Sequence, residues 1–191
     1  SFFVYGTLPI FLTKFLSEIF KLTDYANLTL FGRFLSGVFD ILVVLIVFLI
    51  GKKVFSPRVG FFASFLYSIS ALPIQLSHFY ATDTFLNFFL ILSFYLLINY
   101  LYSEKSYWVI LSGLAFGLAM ASKISAVIFG SAFTIIFLLL LPKLKLKIFL
   151  LILFFGFSTL LSFRIFQPYA FSGPNFFDVH INPKFIQNLQ E

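Results

Sequence analysis

The chain has 191 residues, 61% of them hydrophobic and 10% charged, with a formal net charge of +6 and a mean hydropathy of +1.05. Soluble domains carry about 25% charged residues, so charge is missing here from most of the outer surface as well as the core. That excludes a domain with water on every face and fits one that faces lipid. The absence of Cys excludes disulfides, thiolate metal sites and cysteine nucleophiles.

The sequence opens at Ser1 in apolar-aromatic residues, with no basic n-region or small-residue cleavage site, so no signal peptide is read. A piece of a longer protein is the expectation. In residues 8–22, Leu8, Phe11, Leu12, Phe15, Leu16, Ile19 and Phe20 recur at i, i+3, i+4 spacing, with Lys14, Glu18 and Lys21 between them. This is one apolar helix face, too short and too charged to span. It predicts either a helix lying in the membrane interface or one packed on the spans.

Six apolar stretches follow, over roughly 30–50, 58–74, 83–102, 107–122, 124–141 and 147–166, against a need of about 20 residues per span. The expected fold is all-α, a polytopic transmembrane helical bundle of about six spans with an interfacial helix in the first outer loop. The expected divisions are an outer loop at 1–29, a transmembrane region at 30–166, and the start of another outer loop at 167–191. Lys52, Lys53, Arg58, Lys105, Lys143, Lys145 and Lys147 all fall in alternate loops. The positive-inside rule makes that side cytoplasmic and predicts a multi-pass protein of the plasma membrane. Pro168, Gly173, Pro174 and Pro183 break helices in the last segment.

The polar residues without an obvious topological reason gather on the far side. Asp83 opens the third span, with His78 five residues earlier and Tyr80 between them. The plain reading is a helix N-cap by Thr82 or Asp83. The functional one is a carboxylate at a cavity mouth, able to orient a hydroxyl or, with His78, to hold a divalent metal ion. Lys123 sits in a tight far-side turn, against the trend of the other basic residues. It either snorkels to the interface or binds a lipid phosphate. Arg33 and Asp40 share a face of the first span but lie roughly 10 Å apart along it. Asp40 is expected to be a structural hydrogen-bond centre, satisfied by Ser or Tyr from a neighbouring span, and Arg33 to meet an anion. Arg164 and Tyr169 leave the last span as interfacial anchors. Asp178 and His180 show no constraint. Walker, dinucleotide-glycine, HExxH and GxSxG motifs are absent, and no basic stripe suits nucleic acid.

Several stretches, taken together, resemble a family. Tyr5-Gly6-Thr7-Leu8-Pro9, Gly32-Arg33-Phe34-Leu35-Ser36, the loop from Gly51 to Gly60, His78 to Phe89 with Asp83 central, Gly113 to Lys123, and Pro168-Tyr169-Ala170-Phe171 occur in the order of motifs in dolichyl-phosphate-mannose protein mannosyltransferase-like enzymes. The resemblance implies a GT-C type glycosyltransferase that moves a sugar from a polyprenyl-phosphate donor to an acceptor at the outer face of the membrane. It implies a catalytic role for Asp83 and lipid-phosphate binding by Lys123 and Arg33; His78 is the catalytic candidate beside Asp83, with Tyr80, Arg164 and Tyr169 as further candidates. The family's best-known catalytic Asp precedes the Pro-containing motif, and nothing acidic precedes Tyr5 here. The rival expectation is a transporter or lipid flippase centred on Asp40, although the paired repeats common in transporters are not seen.

Overall fold

The computed structural model describes residues 6–22, 24–144, 146–173 and 180–190. Among these the fold is all-helical, with one isolated antiparallel bridge between Phe171 and Ile181. The helices are α1 (Leu8–Ile19), α2 (Tyr25–Val54), α3 (Pro57–Ser68), α4 (Ala71–Ser77), α5 (Thr82–Ser103), α6 (Tyr107–Ser122), α7 (Gly130–Leu144), α8 (Lys147–Phe166) and α9 (Pro183–Gln190). A 3-10 turn, Ile124–Phe129, leads into α7.

Four segments are long and apolar enough to cross a membrane: Tyr25–Val54, Thr82–Ser103, Ile124–Pro142 and Lys147–Phe166. A fifth is α3 plus α4, bent by 61°. The predicted stretch 58–74 breaks here for a chemical reason. Pro73 has no N–H and its ring would collide with the carbonyl of Ile69 in a continuous helix. The Ser68 and Ser70 hydroxyls instead bond the carbonyls of Phe65 (2.8 Å) and Leu66 (2.7 Å). The fourth predicted stretch, α6, has 16 residues, about 24 Å of helix. It is short because it is walled by protein, burying Val109, Ser112, Gly113, Phe116, Gly117 and Ala119 among others. The first span starts earlier than predicted because Asp24 caps it, accepting from the Asn27 backbone N–H at 3.2 Å. That bond lowers the Asp24 carboxyl below the usual carboxylate range.

The side-chain pairings define the threading. Asp83 meets Lys123 and Ser93 meets Ser112, so α5 and α6 are antiparallel. Gly113 lies against Phe155 and Ser158, and Gly117 against Thr159 and Ser162, so α6 and α8 run parallel. Phe39 packs on Phe85, Phe88 and Phe89, and Lys53 bonds Asn99, so α2 and α5 also run parallel. Gly51 and Gly60 meet at the α2–α3 turn. The chain therefore alternates. Lys52, Lys53, Arg58 and Lys105 lie at one end with the start of α8, and 6–22, Asp24, 78–81, Lys123 and 167–171 lie at the other. Lys145, like Tyr5 and Asp178, lies outside the described residues.

The tightest interfaces use small and hydroxylated residues. Ser93 and Ser112, both fully buried, each donate to the other's carbonyl at 2.8 Å. Thr159 donates to the Gly113 carbonyl at 3.1 Å. Close backbone approach and interhelical hydrogen bonds hold helices together where lipid supplies no hydrophobic drive. Outside these seams the bundle exposes large apolar side chains, among them Ile41, Phe62, Leu138, Leu139, Phe149 and Phe157. That is the outer surface of a multi-pass membrane protein.

The helix α1 packs on the bundle along one edge. Leu8, Pro9, Thr13 and Ser17 are buried against the bundle, while Phe11, Phe15, Ile19 and Phe20 are exposed. The apolar stripe is thus split, and the bundle takes the edge that carries the small hydroxyls.

The α6–α8 seam leads to the first prediction. A Cβ on Gly117 would stand 2.4 Å from the Thr159 carbonyl oxygen, whereas nothing lies within 4 Å of one on Gly156. Gly117→Val should cost about 1–3 kcal/mol through overpacking. Gly156→Ala, on the same pair of helices, should leave the unfolding temperature in detergent unchanged or slightly raised. Thermal unfolding followed by circular dichroism reads both, and equal losses would deny the seam.

Candidate functional site

At the end opposite the basic loops, the Lys123 ammonium donates to Asp83 Oδ1 at 2.7 Å. Each residue is placed by a helix end. Lys123 is the C-cap of α6 in extended conformation, where the chain turns into the 3-10 segment. Asp83 sits in the first turn of α5. The expected N-cap role is not what the carboxylate does. Ala81 occupies the cap position with no side-chain cap bond, and the hydroxyl in that turn, Thr84, bonds back to the Ala81 carbonyl at 2.8 Å. The snorkelling reading of Lys123 fails in the same way, since its side chain is 27% exposed and its ammonium is held by Asp83.

Asp83 also lines a cavity of about 270 Å³ between α2, α3, α4 and α5. The polar part of its wall is Asp40, Tyr67, Asp83, Thr84 and Asn87. Asp83 and Asn87 are four apart and share a face of α5. Tyr67 donates to Asp40 Oδ1 at 2.8 Å and accepts from Asn87 Nδ2 at 2.9 Å. Asp40 therefore does have a tyrosine partner from a neighbouring span. It is also part of the same cavity as Asp83, which the sequence did not suggest. Leu76, Leu90 and Phe129 supply part of the apolar wall.

Other candidates are placed apart from this centre. His78 is exposed, and its Nδ1 lies 2.6 Å from the Ile74 carbonyl of its own helix, so the expected His78–Asp83 pairing is not made. The reason is local: His78 caps α4 and its ring folds back on that helix. Arg33 is exposed on α2, on the same edge as Asp40 and two turns closer to the Lys123 end; it does not line the cavity. Arg164 lies over the Phe171 ring at 4.7 Å and borders a different, largely apolar cavity of about 410 Å³. Tyr169 faces Phe11 of α1, with ring centres 6.4 Å apart. Among the described residues no three of His, Cys, Asp or Glu gather as a metal site.

Tyr80 is a structural bridge to α1. Its hydroxyl lies 2.8 Å from both the Pro9 carbonyl, to which it donates, and Thr13 Oγ1. Burial pushes the phenol above its ordinary pKa. Its ring covers Gly32, where a Cβ would stand 2.8 Å from ring carbons. Two further contacts dock the same loop. Thr7 gives both its N–H (2.7 Å) and its hydroxyl (2.6 Å) to the buried Gln167 Oε1, and the Gly6 N–H bonds the Ser122 carbonyl at 3.0 Å, next to Lys123. Neither Thr7 nor Gln167 was singled out from sequence, because a contact 160 residues long leaves no local pattern.

A family model described as dolichyl-phosphate-mannose-protein mannosyltransferase matches residues 8–168. The chain belongs to this family. Its class is thus that of membrane glycosyltransferases using a lipid-linked sugar, and the matched region runs from the start of α1 past the end of α8. Comparisons with curated proteins and with solved structures give no match.

The docking of the first loop predicts a specific weakness. A Cβ on Gly6 would stand 1.8 Å from the Ala121 carbonyl oxygen. Gly6→Ala should lift the 6–9 segment from the ends of α6 and α8 while the α5–α6–α8 core stays folded. Limited proteolysis should then cut within 6–22 at least tenfold faster than in the parent, with the far-ultraviolet helix signal retained; unchanged cleavage would show that the segment is not held there.

Proposed function

We propose that this region transfers a sugar from a polyprenyl-phosphate donor to an acceptor hydroxyl on the non-cytosolic side of the membrane. The observation that carries the reading is the 2.7 Å pair of Asp83 and Lys123 beside a cavity that also holds Asp40, Tyr67 and Asn87, at the end of the bundle away from the basic loops. Family membership supports the chemistry; the positive-inside rule supports the side.

In this transfer the acceptor oxygen attacks the anomeric carbon, the bond from that carbon to the phosphate oxygen breaks, and the phosphate leaves with the electron pair. Negative charge grows on the leaving group, and a fixed cation there lowers the barrier. An ammonium has three N–H donors, and one from Lys123 is taken by Asp83. The other two can meet phosphate oxygens, while Asp83 holds the ammonium in place and offers its second oxygen to the acceptor hydroxyl. Arg33, exposed on the same side of α2, is the second cation for the lipid phosphate. A general base takes the acceptor proton as the new bond forms. His78, turned back on α4, takes no part. The exposed aromatic face of α1 lies in the interface, and 167–191 belongs to the same outer side.

The transport reading draws on Asp40, but Asp40 shares the cavity of Asp83, and the family is one of transferases.

In the full-length protein, Asp83→Asn should reduce sugar transfer by about 10²-fold or more with unchanged membrane insertion. Lys123→Ala should do the same, and Lys123→Arg should recover part of the rate. Wild-type turnover in Asp83→Asn would remove this residue from the site. The orientation has its own check. This region contains no cysteine, so a single Lys105→Cys is a clean reporter. It should react with a membrane-impermeant maleimide only after the membrane is opened, and labelling in intact cells would reverse the assignment of sides.

A further inference from the structure

Asp40, Tyr67 and Asn87 stand at a depth where an ionisable group is costly and faces protein or water. Their hydrogen bonds have a direction. Asn87 Nδ2 donates to the Tyr67 oxygen, and the Tyr67 hydroxyl donates to Asp40 Oδ1. The Tyr67 proton and one of the two Asn87 N–H donors are therefore used inside the trio. One Asn87 N–H stays open, and so do the second carboxylate oxygen of Asp40 and the side-chain carbonyl of Asn87, neither oxygen with another hydrogen-bond partner among the described residues, in residues that line the cavity. Both oxygens are acceptors. A wall with more open acceptors than donors selects a ligand rich in O–H groups.

Charge narrows the choice. The cavity carries the carboxylates of Asp40 and Asp83, Lys123 pairs with Asp83, and among the described residues no basic one is in the lining. A phosphate inside it would meet net negative charge. A neutral polyol would not. The volume, about 270 Å³, lies just below the range of about 300–1,000 Å³ typical of pockets for drug-sized ligands, and suits one small ring. The apolar side chains of Leu76, Leu90 and Phe129 give that ring a surface for its C–H face.

We propose that Asp40 and Asn87, oriented by Tyr67, form the subsite that reads the hydroxyls of the donor's single sugar ring, while its phosphate stays outside with the cations. Asp40 and Asn87 are then specificity-determining residues for the transfer. This rests on the transferase reading of the site and names which part of the donor fills the cavity.

The test uses the full-length protein in membranes and short-chain polyprenyl-phosphate donors carrying mannose, glucose or galactose, each with its set of single-deoxy analogues. The wild type should prefer one sugar and reject at least one of its deoxy analogues. In Asp40→Asn, which keeps the shape and the bond from Tyr67 but turns the open acceptor into a donor, kcat/KM for the preferred donor should fall by about ten- to a hundredfold. The rate with the rejected deoxy analogue should hardly move, so the discrimination collapses. Asn87→Ser should show the same pattern at a different hydroxyl, and carries the test if Asp40→Asn does not accumulate. Equal losses on every donor in the variants, or wild-type discrimination in them, overturns the subsite while leaving the transferase reading intact. A wild type that uses none of the donors, or an Asp83→Asn variant that transfers normally, overturns the transferase reading first and the subsite with it.

Discussion

In hydrocarbon nothing presses one helix onto another as water does in a soluble core, so helices join through close contact and through hydrogen bonds that cross the seam. The α6 helix satisfies both conditions on two faces. Toward α5 it offers Ser112, exchanging hydroxyl–carbonyl bonds with Ser93. Toward α8 it offers Gly113 and Gly117, spaced so that the backbone of α8 lies where side chains would otherwise be. A helix of 16 residues is thereby held from both sides and stopped at a definite height. That height is what puts Lys123, the residue that ends α6, level with the first turn of α5. The pair with Asp83 follows from the seam, and the cavity below it follows from α2 and the bent α3–α4 segment closing over the other face of α5.

Much of this was legible in the residues. Long apolar runs separated by basic loops specify alternating spans whatever their packing, which is why the stretches 83–102, 107–122 and 147–166 coincide closely with α5, α6 and α8. Asp83 and Lys123 stood out because each is a charge that membrane topology does not require. The GxxxG spacing of Gly113 and Gly117 was also present, as a signal for packing. The break in 58–74 was written there too, in Pro73, since a proline forbids the helix that hydropathy alone would draw through it.

What was not legible depends on contacts between distant segments. The trio of Asp40, Tyr67 and Asn87 joins three helices, and no one-dimensional spacing relates them. His78 and Asp83 illustrate the opposite error. Five residues apart in sequence, they belong to different helices, and the turn at 78–81 sends the imidazole back onto α4. The split of α1 has the same origin. Its amphipathic stripe was real, but which edge met protein was decided by Tyr80, Gly32 and Gln167, all far away along the chain.

The pair at the rim has one more property, which follows from the directions in which its two helices run. Peptide dipoles add along a helix to give a partial positive charge at its start and a partial negative charge at its finish. Asp83 stands at the start of α5, and Lys123 at the finish of α6. Each charge therefore sits against the helix pole that favours it, a gain of about 0.3–1 kcal/mol apiece at exposed sites and more where water is scarce. The polarity of the pair is thus written into the antiparallel threading of the two helices: the acid belongs where the chain enters the membrane and the base where it comes out.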